Sequence, residues 1–471
     1  MSTEARNETD QYMNNLPRES KSEIRHHLHG HESISYGRPY FAILLAAFSS
    51  LGGYFFGYDQ GVTGGVVVMS SFKNDFCVGV YGDERTCDLP IAGLPAGYRR
   101  FLVLFTLLYN VGCFLGSVFI CSFVAEKFGR RSIIFTSAVL FLTGTSMVIF
   151  PPGGSKNIMI LILIGRVVEG AGVGCSSFSC PLYASEIAPT NLHCKKKDNV
   201  TAELDAIADT VKEMGNEMPI KEFFTTKKVL ARLGIGIGVH VLSQTTSINP
   251  IFVYDGIIYQ SVLGNGILSL LILSGTVLLC TIPALFLFDR LGRRNLLMFG
   301  GIAMVGGHFV SATIFVSNCQ VKRKLINDSA IIQEIVDCSG SSGTLMLVFT
   351  AIFVASFAIS WGPISWIYAA EIFPLNVRSR AVSITTGSNW LTGIILSYIL
   401  ELIAPLGIHG IFYLFGSLTV LAVIFVYLFC PETKGILLED IEETFDTFQL
   451  QNRTIIRILR QSFQRSNKTN M

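Results

Sequence analysis

Along most of this chain, apolar residues come in uninterrupted blocks of about twenty, separated by short polar, basic or glycine-containing connections. A helix of that length spans a hydrocarbon core of about 30 Å, and a water-soluble core has no use for so many such blocks in succession. The blocks fall at residues 40–65, 101–124, 132–151, 157–183, 232–260, 265–288, 295–317, 344–370, 381–403 and 408–430. The pattern therefore predicts ten transmembrane helices and an all-α polytopic membrane protein. The first 38 residues are polar, so the leading helix is expected to remain as a signal-anchor and not to be cleaved. The long hydrophilic interruption, 191–228, contains NVTAELDAIADTVKEMG, where Leu204, Ile207, Val211 and Met214 recur at helical spacing. It reads as amphipathic helices lying under the bundle.

Composition agrees with this reading. Half of the 471 residues are hydrophobic and 15% are charged, against about 25% charged in a soluble domain. A net charge of +2, without a basic stripe carrying interleaved aromatics, gives no reason to expect a nucleic-acid partner. The basic connections EKFGRR (126–131), CKKKD (194–198), FFTTKK (223–228), DRLGRR (289–294) and NVRSR (376–380) all fall on one side if both tails are cytoplasmic, as positive residues favour. Arg99, Arg100 and the KRK at 322–324 disagree but are too few to reverse the orientation.

Eleven cysteines contain no CxxC pair, which removes zinc-ribbon and thioredoxin chemistry. Cys77 with Cys87, and Cys319 with Cys338, lie in loops expected outside the cell, where disulfides persist; each pair is a candidate bridge, bonded or free. HHLHGH (26–31) is either a metal ligand set or a solvated tail, and no second ligand cluster supports the metal. Asn327 opens a glycosylation sequon in an outer loop. Neither HExxH nor GxSxG nor a nucleophile–base pairing is present, so an enzyme is not expected.

An acid-x-x-Gly-Arg-Arg turn followed by a Tyr-x-x-Glu-Ile-x-Pro helix end occurs twice: EKFGRR (126–131) with PLYASEIAP (181–189), and DRLGRR (289–294) with SWIYAAEIFP (365–374). Duplicated halves in a membrane protein suggest a transporter with its site between the repeats. Together with GYDQGV (57–62), GRVVEGAGVG (165–174), SQTTSIN (243–249), SNW (388–390) and PETKG (431–435), these motifs appear in the family's order over nearly all of residues 40–445. The chain thereby resembles the sugar porter family of the major facilitator superfamily, whose fold is two pseudo-symmetric helix bundles.

That resemblance implies transport of a monosaccharide, such as glucose, by alternating access, with no cofactor and a proton as the expected coupling ion. Substrate-binding positions would be Gln244, Asn249, Trp366, Asn389 and Trp390, though either Asn could instead bond a neighbouring helix. Asp59 and Arg166 would take and answer the proton, since buried opposite charges offset each other's desolvation; symport and uniport both remain open. Glu126, Arg130, Arg131 and Glu186 would form one cytoplasmic gate cluster, and Asp289, Arg293, Arg294, Glu371 and Glu432 the other, unless the arginines only set topology.

The sequence also departs from the pattern. After EIAP it passes directly into the central loop, where the family has two more spans. The expected organisation is a cytoplasmic tail (1–38), an incomplete four-helix bundle (39–190), a cytoplasmic loop (191–228), a six-helix bundle (229–430) and a cytoplasmic tail (431–471). Ser243 and Val277 stand where relatives carry sugar-contacting amides. The alternative to a plasma-membrane hexose carrier is a chain that keeps the fold without transporting, either a splice or gene-model variant or a nutrient sensor. The sequence fixes neither the sugar nor the oligomeric state.

Overall fold

The computed structural model describes residues 52–54, 57–59, 61, 66, 69–81, 87, 95–150, 156–187, 218–246, 248, 259, 266–325, 332–403, 406–436, 441, 443–445 and 447–448. The chain divides after Phe48, and the described residues all belong to the unit from Ser49 onward. The His26–His31 tail, the Leu204–Met214 periodicity and Asn327 lie outside the described residues.

Helix α1 (Ala96–Leu115) runs through a π-helical turn at Gly116–Ile120 into α2 (Cys121–Phe128), and α3 (Arg130–Ile149) and α4 (Lys156–Ile187) follow. After the central loop come α5 (Lys227–Thr245), α6 (Gly266–Leu291) and α7 (Arg293–Asn318). A hairpin of β1 (Cys319–Leu325) and β2 (Ile332–Cys338) leads to α8 (Ser342–Ile359), α9 (Trp361–Glu371), α10 (Leu375–Ile403) and α11 (Gly407–Phe429). Among the described residues, seven helical segments are long and apolar enough to cross a membrane. They match seven of the ten expected blocks. Helices α5 and α10 occupy two more but begin earlier than hydropathy suggests, at Lys227 and Leu375, because their first turns carry cations. The tenth block, 40–65, is described only in fragments.

Exposed side chains such as Leu271, Leu278, Leu285 and Phe286 on α6 are the large apolar ones, which suits lipid and would aggregate in water. Helix α4 lies between α1 and α3, α7 between α8 and α11, and α10 packs on both α5 and α1. The chain is thus a polytopic, predominantly helical membrane protein, and the antiparallel hairpin, in register Cys319↔Cys338, is its departure from the all-α expectation. Both candidate cysteine pairs are bonded, Cys77 to Cys87 and Cys319 to Cys338.

The duplicated turn has one backbone geometry in both copies. Gly129 has φ 78° and ψ 178°, Gly292 φ 85° and ψ 164°, a region only glycine enters without strain. This is what the Gly of each Gly-Arg-Arg supplies: it ends one helix and starts the next within a single residue. The glycines of GRVVEGAGVG have a different task. A Cβ on Gly170 would strike the backbone of Tyr109 in α1, and one on Gly112 would strike the backbone of Val167 in α4. Small residues let membrane helices approach backbone to backbone.

The expected single block 344–370 is two helices. Ser360 (φ −125°, ψ −87°) breaks it, and Pro363 in the first turn of α9 lacks the N–H an unbroken helix would use. Trp361 Nε1 donates to the carbonyl of Leu297 at 2.9 Å and Tyr368 Oη to that of Pro431 at 3.1 Å. These two bonds anchor the short helix that carries Trp366 and Glu371.

Candidate functional site

Close packing of α1, α3 and α4 puts Arg166 in a buried, aromatic and acidic setting. Its guanidinium pairs with the carboxylate of Asp59 and, at 2.9 Å, with that of Glu169, one turn further along α4. Nε donates to the carbonyl of Phe105 at 3.2 Å. The rings of Phe105 and Tyr109 lie 4.4 and 4.5 Å from the guanidinium carbon, the arrangement of cation–π attraction. The other oxygen of Glu169 accepts from Thr145 on α3 at 2.9 Å. All three charged side chains are at most 6% exposed. Asp59 and Arg166, separated by over a hundred positions in sequence, are therefore brought together, with Glu169 as a third member that sequence reasoning missed. Its signal was available: i and i+3 share a helix face.

A second polar group lies between α5, α9 and α10. The amide of Gln244 donates to the Oδ1 of Asn389, and Asn389 Nδ2 meets His240 Nδ1 at 3.0 Å. The imidazole packs edge-on against Trp366, 4.9 Å between centroids, and its Nε2 is buried with no hydrogen-bond partner among the described residues. Trp390 Nε1 donates to Ser177 Oγ on α4 at 3.1 Å. Of the expected substrate positions, Gln244, Trp366, Asn389 and Trp390 thus surround one place, while Asn249 lies outside the described residues. His240 was missed. It sits one turn before Gln244, on the same face, but a lone histidine in an apolar helix is more often core than ligand. Ser243 turns its hydroxyl to the carbonyl of Trp361 at 3.3 Å, and Val277 packs against the apolar core. Neither replaces a missing amide.

Tyr109 links the two groups. Its ring faces Arg166 and meets Trp390 edge-on, 6.3 Å between centroids at 84°. Helices α1 and α10 are tied together beside it: Asn110 Nδ2 donates to Ser397 Oγ at 3.3 Å and Ser383 Oγ to the carbonyl of Ser117 at 2.7 Å. A charged pair and an amide–aromatic cluster are therefore separated by one aromatic ring, on helices from both halves of the chain. An orphan donor or acceptor beside paired amides and indoles is a setting for a hydroxyl-bearing ligand.

The Gly292 turn forms a third cluster, partly as expected. Arg293 pairs with Glu371 at 2.9 Å, and Thr433 donates to the other oxygen of Glu371 at 2.6 Å. Glu432 differs from expectation. Its carboxylate accepts the backbone N–H groups of Arg293 and Arg294 at 2.8 and 3.1 Å, capping the positive end of α7 where a guanidinium partner was expected. Arg294 donates to the carbonyl of Tyr427 at 2.8 Å and lies over the Phe448 ring. Just outside α11, burial pushes the Cys430 thiol up to about 12, so it stays protonated as a packing group. In the matching first-half cluster Arg131 is exposed, and the side chains of Glu126, Arg130 and Glu186, like that of Asp289 in the second, lie outside the described residues.

The model of the family "Sugar (and other) transporter" matches residues 45–195 and again 193–445. The high glucose sensor RGT2 of Saccharomyces cerevisiae is 26% identical across 86% of this chain, which spans 60% of that sensor's length. Hexose transporter HXT13 of the same yeast is 27% identical over 86% of this chain and 83% of its own, and sugar transport protein 7 of Arabidopsis thaliana 28% over 85% and 89%. In fold, the chain matches the proton:xylose symporter XylE bound to 6-bromo-6-deoxy-D-glucose with a TM-score of 0.65 at 21% identity, over 86% of this chain and 98% of that one. The alignment with HXT13 runs over 495 positions, whereas 86% of 471 residues is about 405. Some ninety positions of the relative therefore have no counterpart here, enough for two crossings of about twenty residues with their connections. The family match breaks at 193–195, where EIAP runs directly into the central loop. The chain belongs to the "Sugar (and other) transporter" family.

Proposed function

We propose that this protein carries a monosaccharide, a hexose such as glucose, across the plasma membrane by alternating access, in symport with a proton and with both termini in the cytoplasm. The observation that carries the proposal is Tyr109, which touches both the guanidinium paired with Asp59 and the indole of Trp390 in the amide cluster. Protonating Asp59 removes its charge and loosens Arg166. A shift of that guanidinium is felt first by Tyr109, and through it by the Trp390 wall of the sugar site. Gln244, Asn389 and His240 supply hydrogen-bonding groups, and Trp366 and Trp390 the aromatic faces that cover a sugar's C–H surface. The Arg293–Glu371 pair with Thr433 acts as the inner latch, holding α7 to the end of α9 until the halves rock apart.

The break in the family match and the ninety-position deficit favour a second reading, a chain that binds sugar without carrying it, as a sensor does. Uptake of labelled glucose by transporter-deficient cells separates the two. Uptake that an uncoupler abolishes supports symport; uptake indifferent to the uncoupler leaves a uniporter. No uptake beside normal surface display defeats the carrier and leaves the sensor.

A further inference from the structure

Glu169 has no task in the carrier scheme above, yet it is among the most buried charged groups described, 5% exposed. Its position is enforced by packing. Glycine at 144 lets the backbone of α3 meet that of α4 at Glu169 itself, since a Cβ there would collide with the Glu169 backbone nitrogen, Cα and Cβ. The carboxylate is consequently held between helices, one oxygen on Arg166 and the other on Thr145. The titratable and charged groups facing it are Arg166 on its own helix, Tyr109 and Cys113 on α1, and Asp59. One Arg166 nitrogen, Nη1, donates to both carboxylates. Two acids sharing one cationic nitrogen in a desolvated place is more negative charge than that cation needs.

We propose that Glu169 is the stand-by counter-ion of Arg166, a positioning residue that keeps the guanidinium paired while Asp59 carries the transported proton. The proposal rests on the reading of Asp59 as the proton acceptor and adds what happens to the abandoned arginine. With Glu169 present, the step exchanges a trio of one cation and two anions for a neutral acid beside an intact ion pair. The proton binds a carboxylate oxygen of Asp59, the Asp59–Arg166 bond opens, and no charge is left bare in the hydrocarbon. Without Glu169 the same step would leave Arg166 with neither carboxylate, at the cost that makes lone intramembrane charges rare. Glu169 therefore lets coupling run at milder acidity.

The test uses the full chain, as wild type, Glu169→Gln and Glu169→Asp, with labelled-glucose uptake followed across an acid-to-neutral series at matched surface levels. Glu169→Gln is expected to lower the pH of half-maximal uptake by about one unit, a tenfold higher proton concentration, the usual size of a neighbouring charge's effect. Glu169→Asp keeps the charge and should stay close to wild type. An unmoved midpoint in Glu169→Gln overturns the proposal. Melting temperature in detergent gives a second measurement that needs no transport. Asp59→Asn and Glu169→Gln each leave Arg166 one of the two carboxylates, so the double variant should lose more than the sum of the single losses; a plain sum overturns the proposal equally. A wild type that ignores pH, or takes up no sugar, defeats the symport reading alone and leaves this cycle to decide the role of Glu169.

Discussion

Asn389 accepts from Gln244 and meets His240, so truncating it to Ala removes the central member of the polar cluster. Two hydrogen bonds at about 1 kcal/mol each correspond to a rise in the uptake KM of roughly tenfold or more, measured at equal surface level. An unchanged KM would place the sugar elsewhere. Tyr109 makes a sharper case because its ring is what joins the two clusters. Tyr109→Phe should keep the pH dependence of sugar affinity and Tyr109→Ala should lose it; equal behaviour of the two variants would contradict a link through the ring. Motif order made Asp59, Arg166, Gln244, Trp366, Asn389 and Trp390 legible from sequence. His240 stood outside any motif and Glu169 stood within GRVVEGAGVG without a role; the meaning of both depends on neighbours from other helices, Trp366 and Thr145 among them, which no local pattern can supply.

Helix ends and helix contacts were legible to different degrees. The two Gly-Arg-Arg turns could be read because a positive φ is a local demand that only glycine meets cheaply. Gly292→Ala would add strain of about 1–3 kcal/mol and push a methyl group into the Glu432 carboxylate that caps α7. The expected outcome is a lower melting temperature in detergent, with the Thr433–Glu371 contact weakened. Gly170→Val tests the α1–α4 seam, where the backbones touch. Overpacking of this kind costs about 1–3 kcal/mol and should show as a shrunken monodisperse peak in size-exclusion chromatography, and a wild-type profile would mean that the seam has room. Hydropathy did not show the break at Ser360, since both sides are apolar. It also missed the β1–β2 hairpin, because a scan for twenty-residue apolar blocks passes over seven-residue strands of mixed polarity.

Two helical halves meet where α10 crosses α1, beside the Trp390–Ser177 bond, and the functional groups gather along that seam. The family was visible in the order of motifs, while the expected lack of two crossings after EIAP falls on residues 188–217, outside the described residues. With both termini proposed to be cytoplasmic, epitope tags at the two ends should both be reached only after the plasma membrane is permeabilised. A terminus accessible on intact cells would refute that topology. The reading as a whole stands on a proton gradient driving sugar uphill through this chain. Purified protein in liposomes, given an acidic exterior and equal labelled glucose on both sides, should concentrate the sugar inside, and Asp59→Asn should only equilibrate it. If folded wild-type protein in the same liposomes never raises internal sugar above the external level, proton-coupled transport by this chain is wrong.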